Sequence, residues 1–200
     1  LVGSEMCIRD RGDPFQYGIL RCDPSPDKRE LLPDGTGRSS KKECVLPLIL
    51  REALARLNPD IPGEKLEEIA RDLCRDFSAT DMTATNYKYY NQIRNGIKIS
   101  LRRNGKEDFD FVKLVDFDRP ENNTFTAVSQ MWIQGRVYWR RPDVLIFING
   151  LPMVFVELKN SIVKVEEAYN DNLKNYLRDI PNLFAFNQIC VLSNGCLLYT

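Results

Sequence analysis

The 200 residues suit one domain with a sizeable core, and a hydrophobic share of 43% fits a folded globular chain rather than a disordered one. Charge is balanced at 28 basic and 28 acidic residues, so no long-range field draws the chain to nucleic acid, and any such contact needs a local patch or a partner. Histidine is absent, which excludes Ser-His-Asp and Cys-His hydrolases, two-histidine zinc proteases and every nuclease whose general base is histidine. Carboxylate, lysine, tyrosine and metal-bound water remain for acid–base work.

Both ends look foreign. Residues 1–11 (LVGSEMCIRDR) and 196–200 (CLLYT) resemble translated sequencing-adapter scars and are set aside as non-native. Residues 12–40, rich in Pro, Asp, Gly, Ser and Lys from Asp23 onward, read as a linker or mobile approach, which leaves 41–195 as a truncated domain. Leu46, Leu50, Ala53, Leu54 and Leu57 recur at helical spacing up to Asn58-Pro59. A second helix follows Pro62-Gly63, with Leu66, Ile69, Ala70, Leu73, Cys74 and Phe77 as its stripe and Glu64, Glu67 and Glu68 near its positive end. A third is expected from about Thr85 to Arg94.

Strand periodicity begins at Ile97, Ile99 and Leu101, turns at Asn104-Gly105 and continues in extended style through Phe109, Phe111, Leu114 and Phe117. Val144 to Ile148 and Met153 to Val156 are apolar on both faces, which calls for helices on both sides of the sheet. Val165, Tyr169, Asn172, Leu173, Tyr176 and Leu177 trace a helical stripe, and Phe186 to Leu192 reads as a last buried strand. The order argues for an α/β fold, a mixed sheet between helices.

The apolar hairpin opens at Arg141-Pro142-Asp143, turns at Asn149-Gly150 and closes on Glu157-Leu158-Lys159. Two carboxylates and an amine at one sheet end suit metal-dependent phosphodiester hydrolysis, because Mg²⁺ takes one or two carboxylates and keeps several waters. Asp143 and Glu157 are the candidate ligands, with the Leu158 backbone carbonyl as a further one. Lys159, two residues beyond Glu157 and on the same strand face, orients the attacking water or meets charge growing on the phosphate. Register decides whether this works. A two-residue loop pairs position 143 with 156 and sends Glu157 to the opposite face, so a three-residue loop, or a bulge doing the same job, is expected.

Other candidates are Glu43 as a helix-start acid, Arg136, Arg140 and Arg141 as phosphate contacts or plain surface charges, and Trp132, Tyr138 and Trp139 as base-stacking or packing aromatics. Lys88, Arg94, Arg102 and Arg103 are too dispersed to form a patch. Cys7, Cys22, Cys44, Cys74, Cys190 and Cys196 contain no CxxC pair, which argues against zinc. With no signal peptide and no apolar stretch of about 18 residues, the expectation is a cytoplasmic chain with reduced cysteines and no membrane contact.

Four blocks carry a family resemblance: GRSSKKECVLPLILREALARLNPDIP (37–62), LVDFDRPENNTFTAVSQ (114–130), RRPDVLIFINGLPMVFVELKNS (140–161) and YLRDIPNLFAFNQICVLSNG (176–195). They resemble, in the right order, the amino-terminal endonuclease domain of the restriction (R) subunit of type I restriction-modification enzymes. That resemblance implies a PD-(D/E)xK nuclease with a restriction-endonuclease-like mixed central β-sheet flanked by helices, and it sets Asp143, Glu157 and Lys159 at the acid, acid and lysine positions.

It also implies Mg²⁺-dependent cleavage of double-stranded DNA, and methylation and specificity subunits as partners. The family carries a Q-x-x-x-Y motif on the following helix. Its tyrosine matches Tyr176, and its glutamine position holds Asn172, one methylene shorter; by composition alone Tyr176 reads as a core residue. The full-length subunit would be an ATP-dependent DNA translocase with a superfamily 2 motor. Nothing here matches GxxxxGK[ST], so ATP is expected only for that missing region. The alternative is a catalytically inactive DNA-binding or subunit-docking module of the same fold.

Overall fold

The computed structural model describes residues 17–75, 81–103, 106–162, 168–195 and 198–199. Helix α1 (Pro47–Leu57) has proline in its first turn and buries Pro47, Leu50, Ala53 and Leu54, one stripe of its surface. It stops at Asn58, ahead of Pro59, where the Asn58 side chain donates to Leu54 O and Lys113 O at 2.9 Å each and accepts from Lys113 N at 2.7 Å. Helix α2 (Gly63–Cys74) buries Leu66, Ile69, Ala70 and Leu73, and its Glu67 pairs with Arg51 of α1 at 2.9 Å. Helix α3 (Met82–Asn95) begins earlier than its aromatic pattern predicts, because Asp81 caps it by accepting from Ala84 N at 3.0 Å. Phe77 lies outside the described residues.

Strand β1 is Tyr17–Arg21, β2 Ile97–Arg103, β3 Lys106–Val112, β4 Phe125–Ser129, β5 Ile133–Gln134, β6 Trp139–Arg140, β7 Val144–Ile148, β8 Leu151–Leu158, β9 Ile189–Ser193 and β10 Leu198–Tyr199. The main sheet is mixed and runs β1-β4-β7-β8-β9-β10; β1 is parallel to β4 and β8 to β9, and the other pairs are antiparallel. The β2–β3 hairpin is a separate two-stranded sheet rather than part of it, and its turn at 104–105 lies outside the described residues. β7 and β8 take the central places, and β4, whose burial alternates along the strand, lies between β1 and β7. β9 starts later than Phe186 and buries only Leu192.

The stretch expected as a linker is structured from Tyr17 onward. It supplies β1, and its polar residues turn inward on one another instead of outward to water. Asp34 accepts from Arg38 Nη2 and Lys41 Nζ, each at 2.7 Å, with all three side chains nearly sealed from solvent. Burial alone would raise the Asp34 pKa; the hydrogen bonds from Lys41 and Thr36 and the charge of Arg38 outweigh it and hold the carboxyl well below its usual range. Such a cluster has the composition of a linker because its residues satisfy each other, with no apolar period to betray it. Residues 1–16 lie outside the described residues, and Leu198–Tyr199, in the other stretch set aside, pair with Leu192 and Ser193.

The sheet separates two apolar layers. On one face Ile148, Val154, Leu151 and Met153 meet α1, α2, α3 and the β2–β3 hairpin. On the other, Val128, Leu145, Phe147 and Phe155 meet Leu173, Tyr176, Ile180 and Leu183, which come from a π-helical turn (Ala168–Leu173), helix α4 (Lys174–Asp179) and helix α5 (Pro181–Phe184). Val165 lies outside the described residues. Cys22, Cys44, Cys74 and Cys190 form no disulfide with one another.

Candidate active site

The β7–β8 turn has two residues, Asn149 (φ 52°) and Gly150 (φ 81°), both in the left-handed region that such hairpins require. A Cβ on Gly150 would lie 2.6 Å from Leu46 O, so glycine is needed twice over. Ile148 pairs with Leu151 and Phe147 with Pro152, but Ile146 pairs with Val154, leaving Met153 unpaired in a bulge. Beyond it Val144 faces Val156, and one further step sets Asp143 opposite Glu157. The bulge, not a longer loop, therefore turns both carboxylates to the face covered by α4.

Glu157 is buried, 3% exposed. Burial first and the nearby Asp143 charge second raise its pKa; hydrogen bonds from Asn172 and Lys159 pull the other way without cancelling this. Lys159 Nζ lies 3.4 Å from Glu157 Oε1, and Asn172 Nδ2 donates to the same oxygen. Oε2 is buried with no hydrogen-bond partner among the described residues. Asp143 is half-buried; its Oδ2 accepts from Leu158 N at 2.7 Å and its Oδ1 from Gln130 Nε2 at 3.2 Å.

The structure thus brings Asp143, Glu157, Leu158, Lys159 and Asn172 together. Tyr176 closes the face from α4: its ring meets Phe155 edge-on at 5.2 Å and its hydroxyl donates to Arg141 O at 3.1 Å. Burial, then the charges of Glu157 and Asp143, push its phenol well above its ordinary value, so it stays a proton donor. The shorter Asn172 reaches Glu157 from the π-helical turn.

Arg140 and Arg141 are engaged with other partners. Arg140 Nε donates to the buried Asp179 at 2.7 Å, and Arg178 Nε donates to the same side chain at 2.7 Å. Arg141 donates to Pro24 O and stacks over Trp132 at 5.1 Å. Glu43 accepts from Ser39 N at 3.1 Å and has no contact with Glu157 among the described residues. Gln130, absent from the sequence candidates, touches Asp143 directly.

A buried anionic oxygen without a hydrogen bond is a group that a cation can satisfy. No group of three His, Cys, Asp or Glu side chains converges to hold a metal among the described residues. Two carboxylates fit an ion that keeps most of its waters, a hard divalent cation such as Mg²⁺.

The sequence model of the type I restriction enzyme R protein N terminus matches residues 18–200. The chain belongs to that family. Among relatives of this R-protein N-terminal region, the HindI endonuclease subunit of a type I restriction enzyme from Haemophilus influenzae is 34% identical over 150 residues, 73% of this chain and 14% of its own length. A protein of Methanocaldococcus jannaschii named for the MjaIXP endonuclease subunit is 32% identical over 176 residues, 83% of this chain and 16% of its own. The chain therefore spans about a seventh of the length of the curated relatives it matches. Among its described residues no helix is long and apolar enough to cross a membrane.

Proposed function

We propose that this R-protein N-terminal region is a magnesium-dependent nuclease module that hydrolyses phosphodiester bonds of double-stranded DNA. The observation that carries the reading is the meeting of Asp143, Glu157 and Lys159 on one sheet face, with Glu157 Oε2 buried and unpartnered among the described residues. Asp143 and Glu157 would hold the ion. In extended backbone a residue's N–H and C=O leave the strand on the same side, so the Leu158 carbonyl, whose N–H meets Asp143, is the natural third protein ligand. When bound, Mg²⁺ neutralises phosphate charge and acidifies water.

The protein's own groups do the rest. Lys159, a quarter exposed, is the group that can leave Glu157 for a phosphate oxygen or the attacking water. Asn172 holds Glu157 Oε1 in place, which leaves Oε2 for the ion. Tyr176 fixes the Arg141 carbonyl two residues before Asp143. With Arg140 and Arg141 engaged internally, either arginine must exchange a protein partner for phosphate in order to touch DNA.

Methylation and specificity subunits as partners, cytoplasmic location and ATP-driven translocation belong to the same proposal, the last for a longer polypeptide than this chain. The test supplies Mg²⁺ and DNA to the intact chain and compares it with Asp143→Ala and Lys159→Ala. Each variant is expected to lose cleavage by about 10³-fold or more. Equal cutting by both variants and wild type would remove the site, and Mg²⁺ binding without cutting by any of them would favour an inactive docking module.

A further inference from the structure

Among the described residues only two non-glycines have positive φ, Asn149 and Gln130 (58°). Asn149 sits in a turn that demands it, and asparagine tolerates that conformation. Gln130 has neither excuse. It follows β4, whose last residue Ser129 pairs with Val144, so it stands opposite Asp143. Its main-chain N–H donates to Asp143 O at 3.0 Å and its side-chain amide to Asp143 Oδ1 at 3.2 Å. One strained residue holds both the backbone and the carboxylate of Asp143, and strain of this kind gathers where geometry matters.

Leu158 N–H from β8 grips Oδ2 from the other side. The carboxylate plane is therefore pinned between neighbouring strands by one donor per oxygen, and each oxygen keeps capacity for a second partner. Both donors are neutral. Arg140 and Arg178 cancel the charge of Asp179, whereas an amide orients Asp143 and leaves its charge for a cation.

We propose that Gln130 is a positioning residue for the cation site, setting the orientation in which Asp143 offers its free lone pairs. The proposal rests on the reading of Asp143 as a cation ligand. Two variants separate its parts: Gln130→Met keeps the bulk and the backbone strain but loses the donor, while Gln130→Gly loses the donor and relieves the strain. The readout is the Mg²⁺ concentration at the midpoint of thermal stabilisation of the intact chain, beside the melting temperature in chelator.

Both variants are expected to raise the Mg²⁺ midpoint on the order of 10-fold, with the glycine variant melting no lower than the methionine variant in chelator. An unchanged midpoint in both, where Asp143→Ala abolishes the response, overturns the role of Gln130 alone. So does a midpoint that moves in the methionine variant only, which would trace the effect to strain. A wild-type chain without any Mg²⁺ response overturns the reading of Asp143 and this proposal together.

Discussion

At the turn of the β7–β8 hairpin Asn149 spends its whole hydrogen-bonding capacity: Nδ2 donates to Leu114 O and Asn123 Oδ1 at 2.9 and 2.8 Å, and Oδ1 accepts from Thr124 N at 2.8 Å and Arg56 Nη2 at 3.4 Å. At the mouth of the same hairpin Glu157 is nearly as deeply buried but has one oxygen without a hydrogen-bond partner among the described residues and a carboxylate for a neighbour. Both ends carry a non-glycine residue at positive φ on or beside the hairpin. The turn is satisfied by the fold itself, whereas the mouth leaves Glu157 Oε2 without a hydrogen-bond partner among the described residues. On the proposed function, stability and chemistry are kept at opposite ends of two strands, joined by the bulge at Met153 that sets their register.

Breaking the turn end should cost most. Asn149→Ala strands the Thr124 N–H and the buried Leu114 C=O, strains the left-handed position and is expected to remove about 3 kcal/mol of stability. Melting should drop by roughly 6–12 °C in chelator. The Mg²⁺ midpoint of the protein that stays folded should hold. A midpoint that moved along with the melting temperature would mean that the two ends are coupled through the hairpin, against the separation argued above.

Legibility in the sequence divides along the same line. Asp143, Glu157 and Lys159 stood out because charges flank a run apolar on both faces, and the helices α1 and α2 because their stripes are clean. The bulge had a signal as well, Pro152, since a proline within a central strand marks broken pairing. Other features left no such trace. Asp179 lies 39 residues from Arg140, and a buried pair that distant has no periodicity. The Asp34–Arg38–Lys41 cluster reads as linker because buried ions that neutralise each other share their composition with solvated ones. Gln130 is invisible until its backbone conformation is known.

Arg140 is expected to have an intermediate effect. Its guanidinium lies 5.9 Å from the Tyr176 ring and pairs with an Asp179 side chain that is 2% exposed, so it braces the helix that closes the mouth. Arg140→Ala leaves Arg178 on Asp179 and should cost about 2 kcal/mol, or roughly 4–8 °C in melting temperature. DNA affinity measured against salt should keep its slope to within about one ion. A slope lowered by a full ion with melting unchanged would make Arg140 a phosphate contact instead of a brace.

The smallest effect has the most telling sign. The Glu157 pKa in the folded chain is raised above its ordinary 4.5, so between those two values the folded state binds more protons than the unfolded one, and stability falls as pH rises. Without divalent ions, the ionised Glu157 is a liability at neutral pH that disappears below about 4.5. Glu157→Gln removes the titrating charge and keeps the shape. In chelator it should melt higher than wild type at pH 7, by an amount that shrinks as pH is lowered through the Glu157 pKa. In Mg²⁺ the order should reverse, since only wild type gains from the ion. A glutamine variant that melts lower than wild type in chelator at pH 7 would mean that Glu157 already has its partner within the protein, and the mouth of the hairpin would then be as complete as the turn.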